Sequence, residues 1–203
     1  GIIGYIGNKP AAPLLLAGLR RLEYRGYDSA GLVVLDNHNF VRVRSVGKID
    51  ALAEKLKDRD LAGNIGIAHT RWATHGGVTL ANAHPHLSAD GNIALVHNGI
   101  IENYRELKKF LGNIEYCSET DSEVLVNLIT HFYQGLPAQA GNLRLAVEQA
   151  LRKVRGTYGI VVAHKDQPEC LVAARLGSPL VIGVGEDGYY LASDATPLLT
   201  HTN

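Results

Sequence analysis

The spacing of hydrophobic residues along the chain predicts its strands and helices. Short apolar or alternating runs are typical of strands, and apolar residues three and four positions apart are typical of amphipathic helices. Strands are predicted at 1–7, 30–35, 40–46, 64–68, 93–96, 160–163, 171–174, 180–184 and 189–192. Helices are predicted at 10–22, 49–56, after Asn103, from Thr120 to about Tyr133, and at 143–154. Because the strands come in pairs and the helices lie mostly in the middle, we predict an α+β fold with antiparallel sheets.

Three local signals predict how these elements begin and end. Asn98-Gly99 between apolar runs predicts a tight hairpin turn, since both residues tolerate positive φ. Asn103 is placed to cap the helix that follows it. Thr120 and Glu123 have the spacing of a capping box.

One polar stretch does not fit a core. The predicted strand 64–68 is followed by His-Thr-Arg-Trp-Ala-Thr-His-Gly at 69–76, which holds two histidines, an arginine and the only tryptophan. Buried polar groups are costly unless they find partners, and loops on rigid strands often carry binding groups. We therefore predict a loop from His69 onward that binds a ligand; a surface loop anchored by Trp72 is the alternative.

Composition and charge narrow the class of protein. The chain has 203 residues with 20 basic and 20 acidic side chains, so we expect neither a nucleic acid nor a membrane partner. Cys117 and Cys170 are far apart and predict no disulfide framework, which favours a cytoplasmic location. The sequence lacks Met and begins at Gly1, so we expect it to be a processed or partial chain.

Two enzyme classes find little support in the motifs. Five histidines lie between His69 and His97, but no HExxH or histidine–carboxylate set accompanies them, so we expect no metal and no other cofactor. A Ser-His-Asp hydrolase is disfavoured because no G-x-S-x-G elbow is present.

Several motifs taken together resemble one family. They are Tyr-Arg-Gly-Tyr-Asp-Ser-Ala-Gly at 24–31, the stretch 69–76, Asn-Ala-His-Pro-His at 82–86, His-Asn-Gly at 97–99, Ser-Glu-Thr-Asp at 118–121 and Arg-Leu-Gly-Ser-Pro-Leu at 175–180. This set resembles the glutaminase domain, a class II glutamine amidotransferase, of the glutamine–fructose-6-phosphate aminotransferase family. The resemblance covers essentially all of residues 1–203, which we expect to form one domain.

The resemblance implies a fold and a nucleophile. The family fold is a four-layer αββα sandwich of antiparallel sheets, of the N-terminal-nucleophile hydrolase type. Its catalytic cysteine stands directly before the residue aligned with Gly1, and that cysteine is not in the sequence. A terminal α-amine has a pKa near 8, so the first residue can supply both the nucleophile and the base.

The resemblance also implies site residues. Asn98 and the backbone N–H of Gly99 would form an oxyanion hole. Arg71 would bind the α-carboxylate of L-glutamine, and Asp121 would bind its α-ammonium. Further pocket and supporting residues implied in this way are Thr74, His75, Trp72, Arg25 and Gly26, with Trp72 gating the passage of ammonia.

The activity implied is hydrolysis of the glutamine side-chain amide to glutamate and ammonia. In the family a C-terminal sugar-isomerising domain of the same chain uses that ammonia to convert fructose 6-phosphate to glucosamine 6-phosphate, and the full-length enzyme is expected to be a homodimer. Because the cysteine is absent from the sequence, a non-catalytic glutamine-binding module is the alternative.

Overall fold

Two antiparallel sheets form the centre of the computed structural model, which describes residues 1–74, 76–137 and 142–199. The strands in this part of the chain are β1 (Ile2–Gly7), β2 (Ser29–Asp36), β3 (Asn39–Val46), β4 (Ile65–Arg71), β5 (His86–Leu87), β6 (Ile93–Ile101), β7 (Gly156–His164), β8 (Leu171–Leu176), β9 (Val181–Gly185) and β10 (Gly188–Ala192). The first sheet has the order β3-β2-β4-β1-β10-β9, and the second has the order β5-β6-β7-β8.

The helices flank the sheets. They are α1 (Ala11–Arg21), α2 (Ile49–Leu56), α3 (Tyr104–Leu111), α4 (Asp121–Gln134) and α5 (Asn142–Leu151), with a 3₁₀ turn at Glu23–Arg25. Helices α1 and α2 lie on the first sheet, and α4 and α5 lie on the second. No helix in the described ranges is both long enough and apolar enough to cross a membrane.

The alternation of side chains along the strands explains the layers. In β1, Ile3 and Tyr5 pack toward α1, whereas Ile2 packs between the two sheets. In β6, Leu95 packs toward the helices of the second sheet, whereas Val96 packs between the sheets. Three buried cores therefore separate four layers in the order helix, sheet, sheet, helix, as predicted.

The predicted turn at Asn98-Gly99 is wrong. Strand β6 continues through both residues, which pair with Gly159 and Tyr158 of β7. Gly99 has a φ of 126°, and a Cβ on it would lie 2.2 Å from the carbonyl oxygen of Thr157. The glycine is thus required by the close approach of β7, because only glycine adopts this backbone without strain.

The predicted loop from His69 also begins later than expected. Strand β4 extends to Arg71, because His69 pairs with Ile2 of β1 and Arg71 pairs with Ser29 of β2. The pairing partners on both sides satisfy the backbone of these polar residues, so they remain in the strand. The two-residue strand β5 was not predicted.

The helix caps agree with the prediction in part. Thr120 Oγ1 accepts a hydrogen bond from Glu123 N at 3.2 Å, as in a capping box. The Glu123 carboxylate instead accepts from the N–H groups of Cys117 and Ser118. The Asn103 cap is wrong, since its side chain bonds Lys153 O at 2.8 Å and Arg155 N at 2.8 Å.

Candidate functional site

A cavity of about 430 Å³ lies where the start of β1, the end of β4, the end of β6 and the N-terminus of α4 meet. The predicted site residues that line it are Arg25, Gly26, Arg71, Trp72, Thr74, Asn98, Gly99 and Asp121. The structure therefore brings together every predicted site residue except His75, which lies outside the described residues. Residues from both sheets and from α4 form its wall, so the cavity depends on the packing of the layers.

Strand alternation decides which side chains face the cavity. His69 and Arg71 share the face of β4 that holds Ile67, which packs between the sheets. Asn98 shares the face of β6 that holds Val96, which also packs between the sheets. His69 and Asn98 consequently meet across the layers, with His69 Nε2 and Asn98 Oδ1 2.8 Å apart.

The start of the chain lies inside this wall. The Gly1 amine donates a hydrogen bond to Thr70 O at 2.6 Å, and Thr70 N donates to Gly1 O at 2.9 Å. Burial, followed by the charge of Arg25, lowers the pKa of this amine from 8.0 to about 5. With the cysteine that the resemblance places before Gly1, this nitrogen would be a peptide N–H, and the α-amine that serves as the base would belong to that cysteine.

Opposite charges stand on the cavity wall. Asp121, in the first turn of α4, is buried, and its Oδ2 accepts a hydrogen bond from Ile101 N at 2.7 Å. Arg71 is buried too, and burial lowers its pKa, while the carboxylates of Asp28 and Asp121 act in the opposite direction. Since an arginine stays protonated at neutral pH, the cavity presents a cation and a carboxyl group to a ligand.

The rim is formed by Trp72 and its neighbours. The Trp72 side chain is 67% exposed, and its ring lies 3.4 Å from the position of a Cβ on Gly26. A Cβ there would make an ordinary contact with the ring, and it is the φ of 73° at Gly26 that favours glycine. Arg25 forms an ion pair with Asp194 at 3.8 Å, which ties the 3₁₀ turn to the segment after β10.

Three buried histidines, His69, His84 and His97, form the inner part of the wall. His84 Nε2 and His97 Nδ1 lie 3.0 Å and 2.9 Å from the same hydroxyl, Ser122 Oγ. Burial lowers the pKa values of His69, His84 and His97, so these rings are neutral at pH 7. In the described ranges, no group of three or more His, Cys, Asp or Glu side chains is arranged to hold a metal ion.

The sequence predicted no binding or catalytic role for several residues of the cavity wall. They are Thr70, Thr120, Ser122, Thr157, Ser178 and Pro179, together with the histidines at 69, 84 and 97. Ser178 and Pro179 lie in the motif at 175–180, and their place in that motif was a signal that they belong to the site. Thr157 carries no such signal, because only the pairing of β7 with β6 brings it to the site.

Comparison with known proteins defines the class. Residues 69–200 match the family model described as glutamine amidotransferase domain, and the chain belongs to this family. Glutamine–fructose-6-phosphate aminotransferases (isomerizing) are similar over the whole chain, with 53% identity in Chlorobaculum tepidum and 52% in Thermus thermophilus. The chain spans 33% of the length of these relatives.

Solved structures give the same fold. The glutamine phosphoribosylpyrophosphate amidotransferase from B. subtilis, complexed with ADP and GMP, superimposes with a TM-score of 0.81. It is 25% identical, and the match covers 99% of this chain and 44% of that one. The predicted resemblance and the αββα sandwich of the N-terminal-nucleophile hydrolases are thereby confirmed.

Proposed function

We propose that this domain hydrolyses the side-chain amide of L-glutamine to glutamate and ammonia, with a cysteine directly before Gly1 as the nucleophile. The observation that carries the proposal is the cavity, which brings the start of β1 together with Asn98, Gly99, Arg71 and Asp121. A non-catalytic glutamine-binding module has no observation of its own in its favour.

Strand geometry supports the position of the nucleophile. A Cβ on Gly1 would lie 2.7 Å from Leu22 Cδ1, on the α1 side of the sheet, whereas a Cβ on Gly4 would lie 3.5 Å from Val161 Cγ1 of the second sheet. Side chains alternate along a strand. A residue before Gly1 that continued β1 would therefore point its side chain toward the second sheet, where Asn98 stands.

The reaction follows from these positions. The cysteine thiol passes its proton to the α-amine of the same residue, and the resulting thiolate attacks the amide carbon of glutamine. Asn98 Nδ2 and the Gly99 N–H stabilise the oxyanion. The amine returns the proton to the leaving nitrogen, ammonia departs, and water then hydrolyses the thioester to release glutamate.

Substrate binding is assigned to the charged residues of the wall. Arg71 binds the α-carboxylate, which suits its planar two-pronged donor, and Asp121 binds the α-ammonium. Thr74 and His75 complete the pocket, and Arg25 and Gly26 support the region around the nucleophile. No cofactor takes part in this scheme.

The use of the ammonia is proposed from the relatives. Their name describes amino transfer to fructose 6-phosphate, and this domain corresponds to one third of their length. We propose that ammonia passes Trp72 to a C-terminal sugar-isomerising domain of the same chain, which forms glucosamine 6-phosphate within a homodimeric enzyme.

The test is an assay of the chain that carries cysteine before Gly1. We expect glutamate and ammonia in a one-to-one ratio from L-glutamine, and neither product when that cysteine is replaced by serine. Folded protein that binds L-glutamine by calorimetry but releases no ammonia would contradict the hydrolase and support the binding module.

A further inference from the structure

The contact between His69 and Asn98 links the two sheets at the cavity. The 2.8 Å distance joins His69 Nε2, on β4, to Asn98 Oδ1, on β6. Both residues line the cavity, but His69 is 3% exposed, whereas Asn98 is only partly buried. Asn98 is thus the more open of the two toward the cavity, and His69 lies deeper in the wall.

The surroundings of His69 decide which ring nitrogen carries the proton. Its Nδ1 is buried and has no hydrogen-bond partner in the described part of the chain. A proton on Nδ1 would be a buried unsatisfied donor, whereas a proton on Nε2 makes a hydrogen bond. The Nε2–H tautomer is therefore favoured, and Asn98 Oδ1 is the acceptor.

The ring is also held in place and kept neutral. It stacks on His84 with ring centroids 4.2 Å apart, and His84 is fixed in turn by Ser122. Burial favours the neutral form of both rings. A neutral, stacked imidazole has one donor to offer, and that donor points at Asn98.

The orientation of an amide side chain matters in an oxyanion hole. If Oδ1 of Asn98 is bound by His69, Nδ2 is directed away from that bond, and no group among the described residues accepts a hydrogen bond from it. A flipped amide would instead turn its oxygen toward the developing oxyanion, so that two electron-rich atoms would face each other.

We propose that His69 is a positioning residue that fixes the amide of Asn98 so that Nδ2 faces the oxyanion. The proposal rests on the proposed glutamine hydrolysis for its catalytic consequence, although the hydrogen bond itself does not. His69 does not touch the substrate in this scheme; it acts through Asn98.

The kinetic test uses the chain with cysteine before Gly1. His69→Phe keeps a stacking ring but removes the donor, and we expect kcat to fall about 10–100-fold, with KM for glutamine changed less than about twofold. His69→Gln retains an N–H donor and should recover most of kcat. In an Asn98→Ala background, His69→Phe should cause no further loss, because the group it positions is gone.

A matched control separates positioning from packing. Ile67→Val removes one methylene from the same face of the same strand, and we expect it to leave kcat unchanged. Equal losses for His69→Phe with and without Asn98, or no recovery with His69→Gln, would overturn the proposal.

A measurement without turnover tests the hydrogen bond separately. Imidazole ¹⁵N spectra of the unmodified chain should show His69 protonated at Nε2, and the Asn98 side-chain amide signals should shift in His69→Phe. A proton on Nδ1 would refute the proposal even in an active enzyme or where His69→Phe fails to fold. An inactive wild-type chain with a Nε2 proton would instead refute the proposed hydrolysis alone.

Discussion

Arg71 and Asp121 are the residues on which substrate recognition depends at the scale of single side chains. Both are buried in the wall of one cavity, and Asp121 also accepts a hydrogen bond from Ile101 N. An asparagine at 121 keeps an acceptor for that N–H and removes the charge, so its effect on binding is separable from its effect on the fold.

We predict that Arg71→Ala and Asp121→Asn each weaken L-glutamine binding by about 1.5–3 kcal/mol, the range for hydrogen bonds to charged groups. Isothermal titration calorimetry measures the loss, with Arg105→Ala, an exposed arginine on α3, as the control. Unchanged affinity in both variants would remove these residues from the binding site.

The residue type of Gly99 predicts its backbone conformation but not the structural reason for that conformation. A glycine after an asparagine indicates positive φ, and the φ of 126° agrees. The sequence does not say whether a turn or a neighbouring strand requires that conformation. Thr157, whose carbonyl oxygen excludes a Cβ at position 99, is distant in the sequence, and pairing over such distances has no local signal.

Asn103 is a connector between elements. Its side chain accepts a hydrogen bond from Arg155 N and donates one to Lys153 O. These bonds tie the start of α3 to the segment between α5 and β7. The cap prediction failed because a short polar side chain satisfies backbone groups wherever they are closest, and here these belong to a distant segment.

We therefore predict that Asn103→Ser destabilises the fold by about 1–3 kcal/mol, although serine is a good cap, because two hydrogen bonds to the chain before β7 are lost. Urea unfolding measures the change. Thr120→Ser, at a residue that does accept from its helix, is the matched control and should cost less than about 0.5 kcal/mol. A neutral Asn103→Ser would restore the cap interpretation.

The end of β4 was also mispredicted because it depends on residues that are distant in the sequence. Most helices and strands were predicted within a few residues, since their periodicity is local. The extension of β4 to Arg71 depends on β1 and β2, which pair with it from both sides, and a run of polar residues does not reveal those partners.

Buried histidines couple the stability of the whole molecule to pH. Burial, then the charges of Arg44 and Arg42, lower the pKa of His86 from 6.5 to about 3, and His69, His84 and His97 shift in the same direction. The unfolded chain takes up these protons below about pH 6.5, but the folded chain does not. Stability is therefore fully present above that pH and is lost as the pH falls toward 3.

We predict that the free energy of unfolding drops between pH 7 and pH 5, by about 2 kcal/mol from His86 alone. Urea titrations at both pH values measure the drop. In His86→Gln the drop should be smaller by about that amount. Equal drops in the wild type and His86→Gln would show that His86 is not the group that titrates.

The fold of the whole molecule was predicted from several motifs taken together rather than from the pattern of apolar residues. Periodicity indicated antiparallel sheets, but the order β3-β2-β4-β1-β10-β9 places the first strand between two strands far from it in sequence. Only the resemblance of several motifs at once carried that information, and it placed Arg71, Asn98 and Asp121 in one site before any contact among them was visible.

Trp72 provides an intrinsic fluorescent probe at the cavity. It is the single tryptophan of the sequence, and it lies with 67% of its side chain exposed at the mouth of the cavity. Emission excited at the red edge of indole absorption therefore comes from one known position. Collisional quenchers report directly on the entrance, so the arrival of a ligand at the cavity can be followed in real time without an attached dye.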